Sequence, residues 1–315
     1  MKSTDRKITV MTNTRWYFME QFRRTEKGLR VLAPAKINLS LLIAGKRPDG
    51  YHELETIMAK IDYYDELLFE RGTKPGLELV CTGPYPVPHG PANLVWKAYQ
   101  ALTEKIGKSL SIRITLTKNI PAGSGLGSGS SDAAAALMGL NRFANLGFSS
   151  SQLHLIAATL GSDVNFFLEG PLAFCTGRGE KIRPLNVVFP FQALLIIPNI
   201  STSTKEVYEN YTHNSDLYGQ LSKKINAFLD KNKIDFAAKM CANMLEQSCF
   251  QLYPQLADIK KTVEELTERV VCLSGSGSAM YCLIDFQANG LIEHCCDILK
   301  RDCNCLYRIV RNNGW

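Results

Sequence analysis

Between Pro121 and Ala136 the chain reads Pro-Ala-Gly-Ser-Gly-Leu-Gly-Ser-Gly-Ser-Ser-Asp-Ala-Ala-Ala-Ala. Gly123, Gly125, Gly127 and Gly129 alternate directly ahead of an alanine-dense segment. Glycine lets backbone N–H groups turn toward an anion at close range. A helix starting there adds unpaired N–H groups and the positive end of its dipole. Ser130 and Ser131 supply hydroxyls for a phosphate or a magnesium ion. The pattern predicts a phosphate-binding loop. It is neither of two familiar ones. A dinucleotide fingerprint needs a third glycine where this chain has Ser128 or Ser130, and a Walker A loop ends in Gly-Lys-Ser/Thr, which is absent.

Elements of both periods surround the loop. Leu29–Ala33 and Ile37–Ile43 read as strands rich in branched residues, and 55–59, 67–70 and 77–81 as shorter ones. Residues 93–106 repeat apolar side chains at helical spacing. Leu110, Ile112, Ile114 and Leu116 alternate with polar residues, as in a half-buried strand. A helix is predicted over 131–145, and Ser149–Ser151 cap another that runs to about Thr159. Residues 193–197 form a buried strand, followed mostly by helices to about Arg269. Strands at 270–273 and 280–284 flank a second glycine turn, and a helix (291–301) and a strand (306–310) close the chain. Helices do not alternate regularly with strands, so the class is α+β in two lobes. The irregular stretch between Pro184 and Pro190 marks the boundary. We expect an extension (1–28), disordered or an over-long start, a domain over 29–187 and another over 188–315.

The bulk numbers exclude several classes. The 315 residues are 45% hydrophobic and 21% charged, ordinary for a globular protein. No apolar run approaches the ~18 residues of a membrane span. The net charge of +6 gathers in residues 1–30, which carry eight Lys/Arg against three Asp/Glu, while the remainder holds 28 against 27. A near-neutral body argues against nucleic-acid binding. Nothing resembles a secretory signal, so a cytoplasmic location and ten reduced thiols are expected. The Cys295-Cys296 and Cys303–Cys305 pairs lack zinc-site spacing.

The glycine segment resembles the central motif of the GHMP kinases, named for galactokinase, homoserine, mevalonate and phosphomevalonate kinases. Two further motifs agree, in order: Ala33-Pro-Ala-Lys-Ile-Asn-Leu39 and Leu273-Ser-Gly-Ser-Gly-Ser-Ala279. The resemblance spans about 31–310. It implies a two-lobed α+β fold, with a ribosomal protein S5 domain 2-like lobe followed by a ferredoxin-like α/β lobe. It also implies ATP and Mg2+ as cofactors. Pro121, Gly123, Gly125, Leu126, Gly127, Gly129, Ser130 and Ser131 would hold the phosphates, with Ser131 as the protein ligand to the metal.

Gly45-Lys-Arg-Pro-Asp-Gly-Tyr-His-Glu-Leu-Glu-Thr-Ile57 narrows the likeness, as do Leu160-Gly-Ser-Asp-Val164 and Gly177-Arg-Gly-Glu180. They resemble the branch of the family that serves non-mevalonate isoprenoid synthesis. That branch implies phosphorylation of the 2-hydroxyl of 4-diphosphocytidyl-2-C-methyl-D-erythritol, by a monomer or homodimer. Lys36 and Asp163 match the catalytic pair; on spacing alone they would read as a solvated strand lysine and a helix cap. Tyr51 and His52 match the cytosine site, with Tyr208 a second aromatic after Thr204. Asn38, Gly275 and Gly277 match other substrate positions. Asn93 and Lys118 match positions near the adenine, although each could be a helix cap or a solvated lysine. Two residues depart from the pattern: Ser128 replaces a usual glycine, and Asn165 a common proline. The alternatives are a GHMP kinase for another alcohol, such as a sugar or homoserine, and a non-catalytic binding relative.

Overall fold

The computed structural model describes residues 20–285 and 290–315. The first strand, β1 (Phe22–Arg24), pairs antiparallel with β2 (Leu29–Lys46). Part of the segment expected to be a disordered extension is therefore an edge strand; residues 1–19 lie outside the described residues. β3 (His52–Arg71), β4 (Gly76–Thr82), α1 (Leu94–Ile106) and β5 (Ser111–Thr117) follow. Then come α2 (Ser128–Phe143), α3 (Ser150–Leu160), α4 (Val164–Leu168), β6 (Leu172–Gly177) and β7 (Lys181–Pro184). These strands form one sheet in the order β1-β2-β3-β5-β4, with β6 on β3 and β7 on β6.

Four short strands expected from the sequence merge into two long ones. β2 is 18 residues and β3 is 20. β3 is long because one edge carries two partners: β6 pairs with 54–59 and β5 with 66–71. Pairing with β2 shifts register between Pro34 and Ala35. On one side of that shift Leu29, Val31 and Ala33 pack with α1 and α2; on the other, Ile37, Leu39 and Leu41 pack with the second lobe. A period-2 reading sees apolar alternation in both halves but not the continuous strand beneath them.

The second sheet has the order β11-β8-β10-β9, from β8 (Gln192–Pro198), β9 (Cys272–Leu273), β10 (Met280–Ile284) and β11 (Cys305–Arg311). The second lobe also holds α5 (Thr204–Glu209), α6 (Ser215–Asp230), α7 (Ile234–Lys239), α8 (Glu246–Leu252), α9 (Pro254–Thr267) and α10 (Gly290–Arg301), of which α10 packs on β11 while α6 and α7 lie against β2. The sheets change over between Pro184 and Gln192. One apolar cluster nevertheless runs from β2 into the second sheet, so the lobes share a core. Cys241 and Cys272 are disulfide-bonded, with Cα atoms 5.2 Å apart, which corrects the expectation of ten thiols. Their Cα separation lies within ordinary bridging reach, a proximity that a sequence separation of 31 conceals.

Candidate active site

Strand alternation places Lys36 and Asn38 on one face of β2 while Ile37 and Leu39 enter the core behind them. Lys36 Nζ donates to Asn38 Oδ1 at 2.5 Å and lies 3.9 Å from Asp163 Oδ2. Asn38 Nδ2 donates to Thr56 Oγ1 at 2.8 Å, and Thr56 Oγ1 donates to the Ser40 carbonyl. That chain fixes the amide so that its oxygen faces the lysine. Burial pushes the Lys36 ammonium below its ordinary pKa, and the Asp163 charge opposes the shift. Asp163 stands at the N-cap of α4 but makes no capping bond with its side chain, which leaves the carboxylate to the cleft. Cys175 adjoins both groups; burial, then the charge of Asp163, raises its thiol pKa.

The cleft has a volume of about 1160 Å³. Its phosphate end is backbone. Gly123, Gly125 and Gly127 have φ of 70°, 77° and 70°, a region that L side chains avoid. A Cβ on Gly125 would stand 2.1 Å from the Ser274 carbonyl oxygen. Gly127 is the N-cap of α2, whose first turn opens toward the cleft. Lys36 N donates to the Leu126 carbonyl (2.9 Å), Ser274 Oγ to the Gly125 carbonyl (3.0 Å) and Ala279 N to the Ser124 carbonyl (2.9 Å). The three sequence motifs are thus sewn into one wall.

The opposite end is built of side chains. His52 and Tyr208 rings lie 5.2 Å apart at 30°, and Tyr211 meets His52 edge-on at 5.8 Å. Tyr51 is 57% exposed, with the Arg178 guanidinium 4.9 Å from its ring centroid. Burial, then Lys46 and His213, holds the His52 imidazole below its ordinary range. Burial also raises the Tyr208 phenol, and the Asp163 charge adds to it.

The structure brings most of the expected residues to this one cleft: Lys36, Asn38, Tyr51, His52, Asp163, Thr204, Tyr208 and Gly275 line it, as do Pro121, Gly123, Gly125, Gly127, Gly129 and Ser130. Five do not line it. Leu126 is core, and Gly277 faces Cys249 and Leu273. Asn93 caps α1, accepting from Val95 N at 2.8 Å, while its Nδ2 donates to the Pro88 carbonyl. Lys118 is neither solvated nor at the cleft wall. It is fully buried and bonded to Asp65, to Ser128 and to Asp132 at 2.6 Å. Burial pulls its ammonium down, but Asp132 and Asp65 outweigh that and raise it. Ser131 Oγ is buried with no hydrogen-bond partner.

Ser128 takes no positive φ; it opens α2 and donates to Asp65 at 3.0 Å, which ties the loop to β3. Sequence reasoning missed Asp65, Thr56 and Asn243. Asn243 donates to the Leu273 and Gly275 carbonyls at 2.9 and 2.8 Å and so holds the second glycine turn. Thr56 lay inside a motif already singled out. Asp65 and Asn243 carried no local signal, since their partners are remote in the chain.

Residues 93–171 match the GHMP kinases N terminal domain. The chain is 37% identical over 268 residues to a 4-diphosphocytidyl-2-C-methyl-D-erythritol kinase of Geobacillus sp. (strain WCH70), covering 84% of this chain and 89% of the relative. A kinase of the same name from Geobacter sp. (strain M21) is 37% identical, covering 82% and 90%. The chain belongs to the 4-diphosphocytidyl-2-C-methyl-D-erythritol kinase family. A crystal structure of 4-(cytidine 5'-diphospho)-2C-methyl-D-erythritol kinase superposes with a TM-score of 0.70 at 30% identity, over 90% of this chain and all of that one. Homoserine kinase from Cytophaga hutchinsonii shares the fold (TM-score 0.69, 19% identity, 93% and 98% covered). In this family member, the two-lobed α+β architecture expected from the sequence is the one the chain adopts. Among the described residues no helix is long and apolar enough to cross a membrane, and no group of three or more His, Cys, Asp or Glu could hold a metal ion.

Proposed function

We propose that the chain transfers the γ-phosphate of ATP to the 2-hydroxyl of 4-diphosphocytidyl-2-C-methyl-D-erythritol. One observation carries the reading: the Lys36–Asp163 pair lies in the same cleft as a backbone anion cradle and an aromatic cluster. A substrate with an alcohol at one end and a pyrimidine at the other would span that arrangement.

In the proposed reaction the 2-hydroxyl donates a hydrogen bond to Asp163. A free aspartate has a pKa near ~4, far below an alcohol's, so Asp163 accepts the proton only as the new O–P bond forms. The bond from the γ-phosphorus to the β–γ bridging oxygen breaks, and ADP leaves with that electron pair. Lys36 keeps Asp163 ionised and stabilises charge on the transferring group. Gly123, Gly125, Gly127, Gly129 and Ser130 turn N–H groups and a hydroxyl toward the phosphates. Tyr51, His52 and Tyr208 take the cytosine with Thr204 beside them, and Gly275, next to the Lys36 ammonium, borders the reacting end of the substrate. The unpartnered Ser131 hydroxyl suits a magnesium ion that arrives with ATP, which would neutralise β- and γ-phosphate charge. Asn93 and Lys118 act behind the nucleotide wall.

Purified protein with Mg-ATP and the cytidyl substrate, followed by phosphorus NMR, tests the reading. Wild type is expected to give the 2-phosphate, and Asp163→Asn to lose about 1000-fold in kcat. Turnover of a sugar or homoserine in place of the cytidyl alcohol would overturn the substrate assignment. An Asp163→Asn enzyme with wild-type kcat would overturn the role of Asp163.

A further inference from the structure

We propose that Lys60 is a positioning residue for Asp163: from the interior of β3 it holds the far end of α4, the helix that Asp163 begins. The inference rests on the role given to Asp163 above. Lys60 is 1% exposed, between buried Ala59 and Ile61, and faces Lys36 across the β2–β3 ladder. Its Nζ donates to the Phe167 carbonyl at 3.2 Å and the Glu169 carbonyl at 2.6 Å. Those carbonyls end α4, where helical partners run out. A lysine is suited to that end of a helix.

α4 has five residues, too few to hold its own shape. α4 also packs on α2, and a second polar tether is His154 of α3. His154 Nδ1 lies 3.2 Å from Asn165 Oδ1, and Nε2 lies 2.7 Å from Glu169 Oε1. Asn165 stands where a proline would have stiffened the turn, so side chains here replace a rigid backbone. The Phe167 ring also abuts the phosphate loop: a Cβ on Gly127 would come within 2.9 Å of it. A shift of α4 would therefore move the carboxylate and the loop wall together. Keeping an amine in this place costs desolvation, which brings the Lys60 pKa down to about 7. A methionine would fill similar space without that cost and would leave both carbonyls without a donor. Lys60 does not line the cleft, so any effect on turnover passes through α4.

The test uses the full chain with Mg-ATP and the cytidyl substrate, comparing wild type, Lys60→Met, Lys60→Gln and Asp163→Asn. Lys60→Met is expected to lower kcat about tenfold or more while both KM values stay within about twofold, since misplacement costs rate rather than binding. Amide hydrogen exchange should quicken in 164–169 and not in α1. Lys60→Gln keeps a side-chain N–H donor and should recover part of kcat. A Lys60→Met enzyme with wild-type kcat overturns the inference, as does one that loses only thermal stability. Should Lys60→Met fail to fold, Lys60→Gln decides by the same criterion: a reduced kcat with held KM supports the inference, and an unchanged kcat overturns it. An inactive wild type overturns the proposed function and this premise together; an active wild type with unimpaired Lys60 variants overturns the inference alone.

Discussion

The two ends of the cleft are built from different materials. The phosphate end is backbone, with three glycines at positive φ locked by hydrogen bonds to β2 and to the second glycine turn. The nucleoside end is side chains, with His52 of β3 against Tyr208 of α5 and Tyr211 just beyond it, and an exposed Tyr51 under Arg178. A backbone cradle has no side chain to remove, and at Gly125 and Gly127 it has no room for one to be added. A platform of rings can be trimmed one contact at a time. The first should fail abruptly and affect ATP; the second should fail gradually and affect only the cytidyl substrate.

Gly125→Ala tests the abrupt end. Its Cβ meets a carbonyl oxygen at 2.1 Å and its φ is +77°, so the loop must move. We expect kcat/KM for ATP to fall about 100-fold, on the scale of an ångström-sized misplacement. Near-normal ATP kinetics would break the comparison. Tyr51→Ala tests the gradual end. Stacking on a base is worth ~1–3 kcal/mol, which corresponds to a rise of about 5- to 150-fold in KM for the cytidyl substrate. The KM for ATP should hold. An unchanged KM for the cytidyl substrate would assign Tyr51 to Arg178 rather than to a base.

The smallest effect concerns His52. Its pKa is lowered, so it is neutral at and above neutral pH and gains its proton only below the ordinary histidine range. If the neutral ring binds the base edge, KM for the cytidyl substrate should be flat above neutral pH and rise a few-fold as pH falls through that lower range. His52→Gln should abolish that limb of the profile. A limb that persists in the variant would transfer the titration to another group.

Much of this was legible in the chain. The glycine loop, the Lys36/Asn38 face and the Asp-Gly-Tyr-His stretch are local patterns, and their residues meet in one cleft. Asn93 and Lys118 show where pattern stopped short. Each sits where a nucleotide contact was expected, yet one caps a helix and the other is enclosed by carboxylates. A lysine just past a strand does not announce what lies opposite it. Ser128, a departure from the usual glycine, proves to be a tie between loop and sheet.

By itself the sequence determined which backbone can approach a phosphate and which strand faces are apolar, because glycine freedom and side-chain alternation act within a few residues. Only the tertiary structure decided the separate fates of three lysines. Lys36 faces Asp163, Lys118 meets Asp65 from 53 residues away, and Lys60 reaches carbonyls 107 and 109 residues away. The charge of a buried amine depends on the groups that surround it, and the folded packing of distant segments supplies those groups.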